Sequence, residues 1–287
     1  EQLSPLSSRP AYTETENELT VKANKRTFIF SKKDGQLKGV SVDNRKINFA
    51  NGPRFIGARR ADRSLDQFYN HDDEKAKEKD RTYSEFPDAA VFTKLDVKED
   101  GGNLVVTANY KLGNLDKTQW TINPSGELAL DYTYNFSGVV DLMGIRFDYP
   151  EDQVISKRWL GAGPYRVWQN RIHGTQYDVW ENDYNDPIPG ETFTYPEFKG
   201  YFGDVSWMNI QTKEGTISLT NETPDAYIGV YQPRDGRDRL LYTLPESGIS
   251  VLNVIPPVRN KVNSTDLCGP SSQPKWVNGP QTGRVIF

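Results

Sequence analysis

The sequence predicts an all-β fold, a large sandwich or barrel with little helix. Short stretches of alternating apolar and polar residues recur, separated by turn signals at intervals of about ten residues. Aromatic residues make up 12% of the chain, and this aromatic content, with frequent Val and Ile, favours strands. A chain of 287 residues is long for one average domain, but single β units reach this size.

The first part of the chain contains a predicted hairpin and a charged excursion. The Asp34-Gly35 pair is a strong signal for a turn between two half-buried strands, and Gly52-Pro53 interrupts the pattern. The highly charged stretch 59–88 is interpreted as a solvated excursion from a sheet. The predicted strands of this part cover 19–23, 25–31, 36–43 and 45–50.

The alternating pattern returns at residue 90. Neither a composition change nor a repeat marks a boundary, so one domain is predicted over 18–287, after a polar linker over 1–17. A polar stretch over 258–283 leads to a short apolar end. The predicted strands and hairpins cover 90–113, 118–138, 141–150, 153–161, 206–222, 226–233, 238–245 and 248–257.

The composition excludes several classes of function. A net charge of −4 gives no electrostatic case for nucleic acid or an anionic membrane as a partner. A mean hydropathy of −0.71, without a long apolar run, excludes a membrane-spanning helix. The single Cys268 makes neither an intrachain disulfide nor a Cys-based metal site alone, and His71 and His173 lie far apart. We therefore predict no metal and no cofactor.

Residues 159–207 form the candidate binding surface. They contain four of the six tryptophans, many tyrosines and several carboxylates, interrupted by glycine and proline. No periodicity lasts in this stretch, so aromatic-rich loops between strands are predicted. Loops that carry aromatic and charged side chains are where a β scaffold usually has its binding surface.

Trp168 and Trp180 are the predicted sugar-stacking residues of this stretch. An indole presents a flat apolar face to the C–H side of a pyranose ring. Tryptophan is more often buried in a core, so both roles stay open for these two. Trp159, which ends a strand before Gly-Ala-Gly-Pro, is assigned to the core.

Polar residues that would meet sugar hydroxyls are predicted near these tryptophans and in a later basic segment. His173 either bonds ligand hydroxyls, acts as a general acid or base, or is structural. Carboxylates such as Glu181 and Glu197 either form a glycosidase acid and base pair or serve in turns. The predicted polar contacts are Arg171, His173, Glu197, Arg259 and Asn260.

Two adjacent segments resemble the motif of a known family. Trp159-Leu-Gly-Ala-Gly-Pro164 and the following Trp168-Gln-Asn-Arg171 resemble W-x-G-x-G-P-x-E-x-Y-x-D-R. This motif belongs to the C-terminal small-chain domain of bacterial glycoside hydrolase family 2 β-galactosidases. Weaker matches keep the family's order over most of residues 20–260, among them Met143-Gly-Ile-Arg146.

The resemblance implies a galactose-mutarotase-like β-supersandwich of two large, mostly antiparallel sheets. It also implies a parent β-galactosidase-like enzyme whose upstream barrel holds the catalytic glutamates. This chain shows no alternating strand and helix pattern for such a barrel. The expected role is therefore carbohydrate binding and one wall of the substrate cleft, without catalysis by the chain alone. The expected partners are an oligo- or polysaccharide and the upstream domains of the same polypeptide, in the periplasm or outside the cell.

The sequence departs from the family's motif in ways that bear on the substrate. Arg166 stands where the motif has Glu, the family's Asp-Asn-Asp stretch is lost, and residues 248–252 contain no tryptophan. These departures fit a divergent polysaccharide-degrading relative better than a lactose-cleaving enzyme.

Two alternatives from other classes stay open at this point. One is a free-standing aldose epimerase or lyase, in which His173 with Glu181 or Glu197 would move the protons. The other is an autonomous carbohydrate-binding module that uses the Trp168 and Trp180 surface.

Overall fold

The computed structural model describes residues 9–60, 83–184, 200–231, 245–257 and 270–287. In these ranges the chain folds into two large antiparallel sheets that pack face to face, which confirms the predicted fold class. No helix within these ranges is long and apolar enough to cross a membrane. The strands in chain order are β1 (Ala11–Glu14), β2 (Glu18–Ala23), β3 (Arg26–Ser31), β4 (Leu37–Val42), β5 (Arg45–Ile47), β6 (Ala50–Arg60), β7 (Tyr83–Glu85), β8 (Val91–Asp100), β9 (Asn103–Lys111), β10 (Leu115–Ile122), β11 (Leu128–Val140), β12 (Leu142–Asp148), β13 (Val154–Gly163), β14 (Gln176–Asp183), β15 (Trp207–Thr212), β16 (Gly215–Asn221), β17 (Tyr227–Val230), β18 (Ile249–Val254) and β19 (Lys275–Ile286).

Most paired strands are consecutive in the sequence, and a few pairs, such as β6 with β12 and β11 with β19, join distant parts of the chain. The first sheet runs β1-β2-β3-β4-β6-β12-β18-β17, with β5 beside β4 and β7 beside β6. The second sheet runs β14-β13-β15-β16-β19-β11-β10-β9-β8. Two single turns of 3-10 helix, Glu151–Gln153 and Pro270–Ser272, precede β13 and β19.

The core lies between the two sheets and is built from alternate residues of the strands. In β2, for example, Leu19, Val21 and Ala23 are buried, while the residues between them point outward. Trp120 of β10 is fully buried at the centre, with Phe30, Phe147 and Phe287 within 6.4 Å between ring centroids. This cross-sheet aromatic packing holds one sheet against the other.

Several strand predictions are confirmed, and four differences are informative. Gly52-Pro53 does not interrupt the sheet, because β6 runs through it, pairs with β12 on both sides of it and pairs with β4 at Gly52. Strand β14 lies in the stretch that was predicted to be loop, and β1 lies within the predicted linker. Strand β19 begins inside the polar stretch 258–283, where no strand was predicted. The predicted strand 238–245 and most of the charged stretch 59–88 fall outside the described residues.

We expect Trp120→Ala to lower the free energy of unfolding by about 3–5 kcal/mol, because it leaves a cavity between the sheets. The measurement is urea unfolding followed by circular dichroism. The matched control is Trp276→Ala, since Trp276 is 72% exposed and its truncation should change stability by about 0.5 kcal/mol or less. Equal losses in both variants would contradict this placement of the core.

Candidate functional site

The Trp159–Pro164 motif forms the end of β13 and packs into the core. The indole Nε1 of Trp159 donates a hydrogen bond to the Ala162 carbonyl at 3.0 Å, and its ring meets Phe202 edge-on at 4.8 Å. Gly163 is pressed against the Trp180 indole, because a Cβ there would lie 2.4 Å from the ring. The motif therefore fixes the strand end, in agreement with the core assignment of Trp159.

Arg166 and Trp168 continue the motif into a second cluster of buried residues. Arg166 is only 2% exposed, and its guanidinium lies 5.3 Å from the centroid of the Phe202 ring. Trp168 is 1% exposed and packs edge-on against Tyr201 at 5.7 Å. This burial does not support the predicted stacking of Trp168 on a sugar, because the indole is packed among protein side chains.

Arg171, His173 and Trp180 are the other predicted site residues that the structure describes, and none of them is fully buried. Arg171 and His173 are exposed on one turn, in which the Arg171 N–H donates to the Trp168 carbonyl at 2.8 Å and the Tyr165 hydroxyl donates to the His173 carbonyl at 3.1 Å. Trp180 lies on β14, half-buried, with its Nε1 bonded to the Gln176 carbonyl at 3.3 Å. Glu197, Arg259 and Asn260 lie outside the described residues, and sugar contact by this set stays a prediction.

No described contact assembles the proton-transfer pair that an epimerase needs. The ring of His173 makes no hydrogen bond or ion pair with a carboxylate within the described ranges. Glu181 is exposed on β14, paired in register with Arg158. Nor do the described residues hold three or more His, Cys, Asp or Glu side chains arranged for a metal ion.

A second feature, which the sequence analysis missed, lies on the outer face of the first sheet. We call it the two-arginine cleft, after Arg54 of β6 and Arg146 of β12, which pair in register across neighbouring strands. The cleft has a volume of about 430 Å³, within the range of small-molecule sites. It is lined by Arg54, Arg146, Asp148, Tyr149, Glu151, Tyr231, Glu246, Ser247 and Gly248.

The two arginines are held differently. Arg54 donates from Nε to the Asn51 carbonyl at 3.0 Å and forms an ion pair with Asp148. Arg146 donates from Nη1 to the Glu246 carbonyl, and its Nη2 lies 3.9 Å from the nearest Glu85 oxygen. The buried Nε of Arg146 has no partner among the described residues, a situation that costs about 1–3 kcal/mol. The guanidinium of Arg146 is therefore incompletely bonded.

Acidic and aromatic groups surround these arginines. Burial raises the pKa of the Asp88 carboxyl, while a bond from the Ala90 N–H and the charges of Arg54 and Arg146 act in the opposite direction. Burial also raises the pKa of Tyr149 to about 12, and the Tyr231 hydroxyl donates to the Tyr149 carbonyl at 2.8 Å. Both hydroxyls are protonated at neutral pH and fix the wall of the cleft.

The lining favours a neutral ligand with several hydroxyls. Arg54 is already paired with Asp148, and the lining carries three carboxylates against two guanidinium groups, so an anion gains little there. A hydroxyl both donates to a carboxylate and accepts from a guanidinium, and such charge-assisted bonds are the stronger ones. The cleft is therefore suited to a polyol such as a sugar unit.

One sequence signal does point to this cleft. Arg54 and Arg146 are charged residues on strands whose neighbouring positions are apolar and buried. An arginine in such a run is rarely buried without a partner. What the sequence does not show is that β6 and β12, far apart in the chain, lie side by side.

A family model and several solved structures match this chain. The family model described as "Beta galactosidase small chain" matches residues 22–254. No curated protein matches the sequence. Similar solved structures include a galactose 1-epimerase from Lactobacillus acidophilus, with 9% identity, a TM-score of 0.49 and 98% of each chain covered. Another is an aldose epimerase homologue from C. elegans, with 8% identity, a TM-score of 0.44, and 96% of this chain and 98% of that chain covered.

We expect Gly163→Ala to destabilise the protein by about 1–3 kcal/mol, because the added methyl group overlaps the Trp180 ring. Urea unfolding measures the loss, and intrinsic fluorescence reports the displaced indole. Gly39→Ala is the matched control within β4, since a Cβ there meets Ile29 at an ordinary 3.6 Å. Unchanged fluorescence and stability in Gly163→Ala would refute this packing.

We expect Arg146→Met to raise the pKa of Asp88 further, because the variant removes one of the positive charges that lower it. Carboxyl carbon chemical shifts in an NMR pH titration measure the change. Arg158→Met, an exposed arginine on β13 of the other sheet, is the control and should leave the Asp88 titration unchanged. A lower Asp88 pKa in Arg146→Met would contradict the geometry of the cleft.

Proposed function

Because the chain belongs to the β-galactosidase small-chain family, we propose that it is the carbohydrate-binding C-terminal domain of a β-galactosidase-like glycoside hydrolase. The family match extends over residues 22–254, which include most strands of both sheets and the two arginines of the cleft, but not β1 or β19. In this proposal, upstream domains of the same polypeptide supply the catalytic groups. This chain binds saccharide and forms one wall of the substrate cleft, and it does not hydrolyse glycosides alone.

The observation that carries the binding role is the two-arginine cleft. Its volume of about 430 Å³ suits one sugar unit. The guanidinium of Arg146 offers donors and the lining carboxylates offer acceptors at short range, whereas the hydroxyls of Tyr149 and Tyr231 already donate within the protein. Since the register of β6 and β12 sets the positions of both arginines, the site is preorganised by the sheet.

The predicted polar wall is a second part of the proposal. Arg171 and His173 lie together on an exposed turn, and Trp180 lies on the neighbouring strand β14. With Glu197, Arg259 and Asn260, they would contact sugar units that extend beyond one binding pocket. Trp168 has a structural role instead, because its packing against Tyr201 holds the start of the turn that carries Arg171 and His173.

The proposal also includes a setting for the parent protein, as a bacterial enzyme that degrades oligo- or polysaccharides in the periplasm or outside the cell. Loss of the family's Glu at the position of Arg166 favours a substrate other than lactose.

We expect the purified chain to bind at least one member of a panel of neutral oligosaccharides. Replacing Arg146 by Met should weaken that binding roughly 10- to 100-fold, because a hydrogen bond to a charged group contributes about 1.5–3 kcal/mol. Isothermal titration calorimetry measures both affinities. Arg158→Met is the control for a lost surface arginine and should bind like wild type. Equal binding by wild type and Arg146→Met would remove the cleft from the proposal.

We also expect no release of nitrophenol when the chain alone is incubated with nitrophenyl glycosides, because the catalytic glutamates are assigned to another domain. A complete β-galactosidase serves as the positive control. Steady hydrolysis that co-purifies with the chain would refute the non-catalytic role.

A further inference from the structure

The outer face of the second sheet presents a straight row of side chains along β11 and β19. These two strands pair over their whole length, and alternate residues of each point away from the core. We call this row the β11–β19 strip. Its outward pairs in register are Val139 with Trp276, Ser137 with Asn278, Asn135 with Pro280, Thr133 with Thr282, and Asp131 with Arg284.

Trp276, at one end of the strip, is more exposed than any other tryptophan of the chain. It is 72% exposed, whereas Trp120, Trp159 and Trp168 are buried and Trp180 and Trp207 are partly buried. Its ring stacks on no other aromatic ring in the described part of the chain. Leaving so large an apolar ring in water is unfavourable, so its position suggests a flat ligand.

The opposite end of the strip is a shallow depression of about 410 Å³. Arg284 is fixed there by ion pairs to Asp131 at 2.6 Å and to Glu222 at 2.9 Å. Four polar side chains around Arg284 form no side-chain hydrogen bond with any described residue. They are those of Lys117, Gln119, Thr133 and Thr282. These groups are available to a ligand.

The strip has the length and the charge of a site for a chain-like neutral ligand. From Trp276 to Arg284 along β19 the strand rises about 27 Å, enough for several sugar units. Next to Trp276 it carries Ser137 and Asn278, which bond to each other at 2.8 Å, and its central pair is Asn135 with Pro280. All four residues are uncharged. Nucleic acid would need a basic stripe, and a protein partner would need a wider apolar patch than one indole.

We propose that the β11–β19 strip binds a linear neutral oligosaccharide. Trp276 stacks on one pyranose ring, and the polar groups near Arg284 bond the hydroxyls of units farther along the chain. The strip lies on the opposite sheet from the two-arginine cleft, so it is a separate site. The inference rests on the proposed function for its class of ligand, because both sites take saccharides.

The test compares ligands of increasing length on the complete chain. Galactan, xylan and cellulose oligosaccharides of one to six units are titrated by calorimetry, with tryptophan fluorescence in parallel. For the series that binds, we expect the affinity to rise tenfold or more between one and six units. Trp276→Ala should remove most of this rise without changing the affinity for the single sugar, and Trp276→Phe should retain more of it than Trp276→Ala does.

A matched control and the cleft variant separate the two proposals. Tyr177, on β14 of the same sheet, is 58% exposed, and Tyr177→Ala should keep the full dependence on length. Arg146→Met should weaken the affinity for the single sugar and leave the dependence of affinity on ligand length unchanged. If six units bind no better than one, or Trp276→Ala keeps the gain, the strip is refuted while binding at the cleft stands. If no saccharide of any length binds wild type, both proposals fall.

Discussion

The packing of one sheet against the other around Trp120 is the constraint on which the rest of the structure depends. Because side chains alternate along a strand, burying one face of each sheet decides which residues point away from it. A slip of one residue in β12 would place Arg146 between the sheets and bring Ile145 out. The core therefore sets the register of the strands, and the register sets both candidate sites.

Both sites are rows of side chains that cross neighbouring strands. In the first sheet the row through Arg54 and Arg146 continues to Ser250 and Gly229. In the second sheet the outward residues of β11 and β19 face each other pair by pair. A sheet is a stiff support, so these side chains need less ordering when a ligand arrives than residues on loops would.

The sequence predicted the strands well and the site only in part. Alternation is a local signal, which is why β2, β3 and β12 were found close to their true bounds. The first half of β19 was missed because its two apolar residues, Trp276 and Val277, are adjacent and therefore lie on opposite faces, so it lacks an apolar alternation. The pairing of Arg54 with Arg146 depends on strand order, which is non-local. For Trp168 the sequence left both a core and a ligand role open, because an indole in a loop-like segment is compatible with either, and the structure shows it buried.

Arg166 has a consequence for how this sequence relates to others in its family. A guanidinium that is 2% exposed requires electron-rich neighbours, here including the face of Phe202. The glutamate of the family's motif requires donors in the same place. A change from glutamate to arginine at this position therefore requires matching changes in the residues around it. Relatives with arginine and relatives with glutamate should form two lineages between which no single substitution is neutral.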